Sequence, residues 1–365
     1  MSAAKRKTWY RLLVPGFIFQ SIVIAGGYGT GAEIVQYFLV NGLVGGLLGM
    51  VVTTVLWALL CAVTFEFARV FKTFDYKSLM TRLLGKPGHI LYEISYVVLM
   101  LMVIGVCIST SGSMVADITG LTPWVGIILL SVGIVLLIVK GTETIERVLS
   151  FWSYVLYAVY ALFMVICFTK FSSGISDAFA VAEIGKGWFV NGAQYAFYNL
   201  GCVPLFLYAL RDCPSRKEAV TSGILSGFIA VIPAAMLMLV LAGVSGTVSA
   251  EVPVSVVFAQ LDMKWLYIIF EIVLFGTLVE TGAGFIKAID DRIGLAVTHN
   301  GEKPAPSWLH PSIAVVGVIL GIIVAQFGLI PLIAKGYGTM CWIFMLIFAI
   351  PMVTVGVYKI AKAKK

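Results

Sequence analysis

A run of glycines interrupts the first long hydrophobic stretch of this chain. Residues 11–40 are apolar enough to form one membrane-crossing segment, but their middle reads Gly26-Gly27-Tyr28-Gly29-Thr30-Gly31. Each glycine there costs a helix about 1 kcal/mol against alanine, so the spacing predicts a break. Backbone groups freed inside a bilayer must find partners, which restricts such a break to places where it lines a cavity or meets a ligand. A second apolar stretch, roughly 187–212, is interrupted at Asn199-Leu200-Gly201-Cys202-Val203-Pro204. Two interrupted spans at matching places in the two halves of a chain point to the binding site of a secondary transporter.

Composition sets the class. Hydrophobic residues make up 60% of the 365 and charged residues 12%, against about a quarter charged in soluble domains. The expectation is an all-α polytopic membrane protein forming a single membrane transport domain over 1–365. A helix needs about 20 apolar residues to cross, and ten candidate spans satisfy this: 11–40, 43–71, 89–115, 122–140, 145–170, 187–211, 217–245, 264–289, 309–328 and 330–359. The basic Lys5-Arg6-Lys7 followed by an apolar run superficially resembles a signal peptide. The run is too long and leads into the break, so it reads as an uncleaved first span.

Orientation follows from Lys and Arg. With ten spans and both termini in the cytoplasm, only Lys170, Lys186 and Lys264 of the 25 basic residues fall outside, and Lys335 falls within the last span. That bias supports both the count and the orientation in the cell membrane. It also accounts for the net charge of +7 without any nucleic-acid partner. The outer segment 246–263 holds an apolar stretch from Val252 to Leu261, too short to span, which reads as an interfacial or re-entrant cap.

Several chemistries are excluded. The six cysteines (61, 107, 167, 202, 213, 341) lie in or at the ends of apolar spans with no CxxC pairing, and read as small buried hydrophobes. The histidines (89, 299, 310) fall in short loops, which argues against a metal site or a triad. No Walker motif or dinucleotide fingerprint occurs, and no cofactor is expected beyond a coupling Na+ or H+.

The breaks lie in spans one and six. Two repeats of five spans, about 11–170 and 187–361, would then be oppositely oriented, an inverted pair. With Gly29-Thr30-Gly31-Ala32-Glu33-Ile34-Val35-Gln36-Tyr37-Phe38 in span one, and Tyr198-Asn199-Leu200 with Ser215-Arg216-Lys217 in and after span six, the chain resembles the YkvI-like family of small bacterial membrane proteins. More broadly it resembles the leucine-transporter fold of the amino acid–polyamine–organocation superfamily. The resemblance covers the chain in topology and about 30 residues in motif. It implies ten helices with the first and sixth broken.

Candidate site residues cluster at the breaks. Thr30-Gly31-Ala32-Glu33 has the form of a capping box, with Thr30 capping the second half-helix and Glu33 folding back; Glu33 can equally serve as an ion or proton ligand. The half-helix N-terminus after the break suits a carboxylate, and the carbonyls from Ala25 to Tyr28 suit a cation. The substrate site is expected at Gly26, Gly27, Tyr28, Gly29, Thr30 and Gly31 of span one and at Tyr195, Tyr198, Asn199 and Gly201 of span six. In span eight, Thr277, Glu280, Thr281 and Gly284 share one helical face, and a carboxylate within a membrane is a functional candidate by default. The resembled fold places the inner part of helix eight against the helix-one break around a sodium ion. That would make Thr277, Glu280 and Thr281 donors beside Gly26 and Gly29. Glu280 departs from the hydroxyls and carbonyls usual there, and could carry a proton instead. Glu271 reads as a packing or vestibule residue, Glu66 and Glu93 as solvated or paired with Arg69 and Lys72, and Ser109, Thr110 and Ser111 as bonded to their own backbone or helping to line the site. Lys335 would snorkel, and no chemistry attaches to Gly336-Tyr337-Gly338.

The reading is a secondary active transporter, not an enzyme, that moves a small organic solute by alternating access. The solute is expected to be an amino acid or similar zwitterion, coupled to Na+ or H+. Spans 1, 2, 6 and 7 would rock against 3, 4, 8 and 9. An organic-amine or betaine carrier is the alternative among carriers, and a non-transporting scaffold or regulatory subunit the alternative outside them. Partners are a small-molecule substrate and the bilayer; the oligomeric state is not indicated. The topology predicts that fluorescent-protein fusions at either terminus glow and alkaline-phosphatase fusions there stay inactive in bacterial cells; the reverse pattern overturns the orientation.

Overall fold

The computed structural model describes residues 8–24, 26–140, 142–181, 183–297 and 306–363. Lys5, Arg6, Lys7, Ala25, His299, Lys303, Lys364 and Lys365 lie outside the described residues. No strand occurs among those described. The first span is three pieces: α1 (Thr8–Val23), a single turn α2 (Gly26–Gly29) and α3 (Ala32–Tyr37). Then follow α4 (Gly42–Phe71), α5 (Tyr76–Thr119), α6 (Trp124–Val139), α7 (Thr142–Lys170) and α8 (Ser172–Val181). The second broken segment is α9 (Trp188–Leu200) followed by 3₁₀ turns at Val203–Leu205 and Leu207–Leu210. The chain closes with α10 (Arg216–Ala242), α11 (Pro253–Leu261), α12 (Lys264–Val297), α13 (Leu309–Ala325) and α14 (Leu329–Lys362).

Among the described residues, five stretches are each long and apolar enough to cross a membrane: Ala32–Phe71, Tyr76–Thr119, Arg216–Ala242, Lys264–Asp290 and Leu329–Lys362; Tyr154–Lys170 and Ser172–Val181, bent by 71°, pass as a pair. Their outer faces are apolar too. Val51, Val55 and Leu59 on α4, and Ile128, Val132 and Leu136 on α6, repeat every four residues and are all exposed. Such stripes suit hydrocarbon and not water. The chain is a multi-pass, all-helical membrane protein.

Two stretches differ from the sequence reading. Residues 76–84, read as loop, are helical. Asp75 caps them by accepting from the Ser78 N–H at 2.9 Å, and Gly85 (φ 78°) kinks the chain just before Pro87. A kink of positive φ is open to glycine at low steric cost. Two histidines read as loop residues lie in helices. His89 is buried in α5 and stacks on Tyr76 with centroids 6.2 Å apart. His310, in the first turn of α13, places its Nδ1 2.7 Å from Asp290 Oδ1.

Small residues sort the helices into two packed groups. In the first, Gly223 and Gly227 of α10 meet the α4 backbone at Ala62 and Ala58, while Gly16 of α1 meets Ser226 and Ile229. α9 joins through Thr53 Oγ1 to Gly192 O (2.8 Å) and Trp57 Nε1 to Ala196 O (3.1 Å). In the second, Gly105 of α5 and Gly321 of α13 interlock with Val324 and Ile104, and Gly133 of α6 and Gly282 of α12 with Val279 and Ile134. Lipid chains give helices little hydrophobic reason to associate, so close backbone approach at small residues carries the packing.

A Cβ on Gly227 would lie 2.6 Å from Ala58 N and 3.0 Å from Thr54 O, atoms of backbone that cannot swing away. Gly227→Val is expected to destabilise the protein by about 1–3 kcal/mol, read as a lower melting temperature in detergent. An unchanged melting temperature would mean that α4 and α10 are not held at this distance.

Candidate substrate and coupling site

The break in the first span is tightly tied. Gly31 takes φ 83°, and a Cβ there would fall 3.0 Å from Leu241 and 3.2 Å from Pro253. Thr30 Oγ1 donates to Gly26 O and Gly27 O, each at 3.1 Å. Gly26 O also accepts from Thr30 N at 3.2 Å, and Tyr28 O from Gly31 N at 2.9 Å. The carbonyls from Gly26 to Tyr28, expected to be free for a cation, are therefore each already engaged. α11 closes the break on one side: Val254 N donates to Thr30 O at 3.0 Å. The apolar stretch read as a cap is this short helix.

The capping box does not form. Gly31, not Thr30, is the N-cap of α3, and no side chain caps it. The carboxylate of Glu33 leaves its own helix end instead and accepts the Tyr198 hydroxyl of α9. Glu33 is 1% exposed and Tyr198 5%. This bond joins the two interrupted spans. Gly27 makes room for it, since a Cβ there would lie 2.8 Å from Glu33 Cγ and 3.0 Å from Cδ.

Around Tyr198 stands a group of buried aromatic rings. Tyr337 stacks on it at 4.7 Å and 16°, Tyr37 lies parallel at 6.0 Å, and Tyr195 meets it edge-on at 5.6 Å. Tyr37 is held by donating to Ile333 O at 3.0 Å. Tyr37 and Tyr337 were not assigned by sequence reasoning. The signal for Tyr337 was its glycine neighbours: Leu332–Tyr337 is a π-helical segment, a distortion often found at functional sites. A narrow cavity opens beside this group. Glu33, Tyr198, Asn199 and Tyr337 supply its polar lining, with Val23, Leu99 and Phe285 among its apolar walls. The cavity thus takes residues from both helix groups.

The other assigned residues fall as follows. Asn199, 4% exposed, donates to Tyr195 O at 3.0 Å. Gly201 accepts the Tyr92 hydroxyl on its carbonyl, and its Cα lies against the Phe344 ring. Tyr28 is fully buried. Thr110 approaches Gly26 and its hydroxyl is buried without a partner, while Ser111 donates back to Ile108 O at 2.8 Å. Glu66 pairs with Arg69 at 2.8 Å as expected, but Glu93 meets Tyr76 and His89 instead.

Span eight presents leucine to the break. Leu278 faces Gly26 and Leu274 faces Gly29, on the side where the resemblance implied Thr277, Glu280 and Thr281. Thr277 Oγ1 donates to its own Val273 O at 3.0 Å, the common fate of a helical threonine. Glu280 Oε1 is buried without a hydrogen-bond partner, as is Oε2 of Glu271, a residue 2% exposed. Among the described residues no group of three or more His, Cys, Asp or Glu is placed to hold a metal ion.

No protein-family model matches the chain. The chain is similar to the uncharacterized membrane protein YkvI of Bacillus subtilis (strain 168), 21% identical over 279 residues, which is 76% of this chain and 79% of YkvI. Its fold is that of the leucine-transporter type. It is similar to MhsT in complex with L-phenylalanine (TM-score 0.59, 15% identity, 96% of this chain and 97% of that one). It is also similar to a Na+-coupled sialic acid symporter in a substrate-bound, outward-open state (TM-score 0.55, 12% identity, 93% and 86%).

If the Glu33–Tyr198 bond depends on the space at Gly27, Gly27→Ala and Tyr198→Phe remove the same interaction. Each is expected to cost about 1–3 kcal/mol, and the double variant little more than the worse single one. Thermal unfolding of the three variants in detergent checks this. Fully additive losses would assign the two residues to separate interactions.

Proposed function

We propose that this protein is a secondary active transporter of a small organic solute, an amino acid or a similar zwitterion, coupled to Na+ or H+ by alternating access. The observation that carries the reading is the meeting of two interrupted spans at Glu33 and Tyr198, in a cavity bounded by both helix groups. A site between two rigid groups can be exposed to either face by rocking one against the other. The group built on α1, α4, α9 and α10 would move against that built on α5, α6, α12 and α13, with Gly26–Gly31, Tyr195, Tyr198, Asn199 and Gly201 forming the binding region. The reading includes ten spans as two inverted repeats, about 11–170 and 187–361, in the cell membrane with both termini cytoplasmic.

Glu280 is the proposed coupling group, with Thr277 and Thr281 beside it on α12. A carboxylate with a buried, unpartnered oxygen in a span is expensive to keep there, and a proton or a sodium ion arriving at it relieves that cost. The Na+ coupling of the sialic acid symporter favours sodium. The carboxylate, where the family norm is hydroxyls and carbonyls, favours the proton.

The test is uptake into proteoliposomes under an imposed Na+ or pH gradient. The wild type is expected to concentrate solute under one gradient and not the other. Glu280→Gln is expected to lose concentrative uptake and retain binding, because Glu280 does not line the cavity. Undiminished concentrative uptake by that variant would remove Glu280 from coupling. Uptake indifferent to both gradients would remove the active-transport reading.

A further inference from the structure

Three of the spanning stretches have ends that meet at one face of the molecule, and their basic residues collect there. Ala32–Phe71 runs into Lys72, Tyr76–Thr119 opens with Lys77, Arg82 and Lys86, and Leu329–Lys362 closes with Lys359 and Lys362. Two contacts hold these ends together. The guanidinium of Arg82 lies over the Phe71 ring, 4.6 Å from its centroid. Lys359 Nζ donates to Arg82 O at 2.7 Å and to Leu83 O at 3.1 Å, just before the kink at Gly85. A lysine is a favourable partner for carbonyls at the end of a helical run. Lys72, Lys77, Arg82, Lys86 and Lys362 are all exposed around this joint.

The charge of this patch is not answered within the protein. Elsewhere bases near helix ends have acids: Arg11 pairs with Glu218 at 2.8 Å, Arg69 with Glu66 at 2.8 Å and Lys287 with Asp290 at 3.2 Å. Lys72, Lys77, Arg82, Lys86 and Lys362 make no ion pair among the described residues. The one acid between Lys72 and Lys86 is Asp75, whose two oxygens accept the N–H and the hydroxyl of Ser78 at 2.9 and 2.6 Å. The bias of Lys and Arg toward one side of a membrane asks only where a base lies; it does not ask that acids be withheld from it. Lys72 is moreover held at φ 56°, a left-handed position after a helix that commonly goes to glycine.

Next to the patch the surface is apolar. Starting one turn after Lys86, Ile90, Leu91, Ile94 and Val98 of α5 are exposed, as are Val357 and Tyr358 of α14 beside Lys359. A ligand that fits such a place carries negative charge at one end and hydrocarbon at the other. We infer that the patch binds an anionic phospholipid, its phosphate among Lys72, Lys77, Arg82 and Lys86 and its acyl chains along the exposed face of α5. Clustered bases at the ends of spans attract acidic headgroups, and the unanswered charge here gives a headgroup no acid to compete with. The chain passes at this point from α4, in the first helix group, to α5, in the second, so a lipid seated here touches both. The inference needs only that the chain crosses a membrane; it does not depend on the transporter reading or on the proposed orientation.

The experiment titrates the purified full-length protein in detergent with phosphatidylglycerol and with phosphatidylcholine of the same acyl chains, and counts bound lipid by native mass spectrometry. Phosphatidylglycerol is expected to bind about tenfold or more tighter, by a margin that shrinks as ionic strength rises. Lys72→Gly and Lys86→Gln are each expected to weaken phosphatidylglycerol binding about fivefold and to leave phosphatidylcholine binding unchanged. Lys217→Gln, in the first turn of α10, is expected to change neither. Glycine suits the backbone at position 72, so the melting temperature of Lys72→Gly is expected to hold or rise, which separates loss of lipid from loss of fold. Equal affinity for the two lipids would overturn the inference, as would wild-type phosphatidylglycerol affinity in both Lys72→Gly and Lys86→Gln. Glycerol 1-phosphate displacing the lipid at equal concentration would overturn it too, by making the patch a site for a free phosphate.

Discussion

The centre of this protein is a carboxylate that two broken helices share. Glu33 belongs to the first interrupted span and Tyr198 to the second, and their hydrogen bond is buried on both sides. A charge at that depth is tolerable only with partners, so the surrounding structure is arranged to supply them. Gly27 yields the volume, Tyr198 yields its hydroxyl, and Thr30 closes the turn by donating to the Gly26 and Gly27 carbonyls. Removing a glycine at this point would act on the charge, because the missing side chain is what the carboxylate fills.

The two helix groups are built by the same logic on a larger scale. Gly223 and Gly227 let α10 lie on α4, and Gly105 and Gly321 let α5 and α13 interlock. In the first group these contacts reach the α4 backbone, and in the second they are made chiefly with the side chains of Val324, Ile104, Val279 and Ile134. Between the groups the cavity interrupts the packing. That cavity is lined by Glu33 of the first interrupted span and by Tyr198 and Asn199 of the second.

The acids along α12 stand apart from that seam. Glu271 and Glu280 each keep a buried oxygen without a partner, whereas the residues that α12 turns toward the break are Leu274 and Leu278.

Much of this was legible in the chain itself. Length and hydropathy are properties of sequence, and they led to the membrane class; glycine runs and an internal proline weaken helices wherever they occur, and they led to the two interrupted spans. The short helix α11 was visible as an apolar stretch too short to span. Partner choice was not legible. Thr30 and Glu33 have the spacing of a capping box, yet Glu33 bonds to a residue 165 positions away, and the offsets of Thr277, Glu280 and Thr281 say which residues share a helix face but not where that face points. Tyr37 and Tyr337 gave little local sign of their place beside Tyr198, since aromatic residues in membrane helices serve packing as often as function. Sequence by itself determined where the chain must break, because backbone conformation is a local property. Only the tertiary structure decided what the breaks hold, because the partners of a buried charge are set by helices that meet far along the chain.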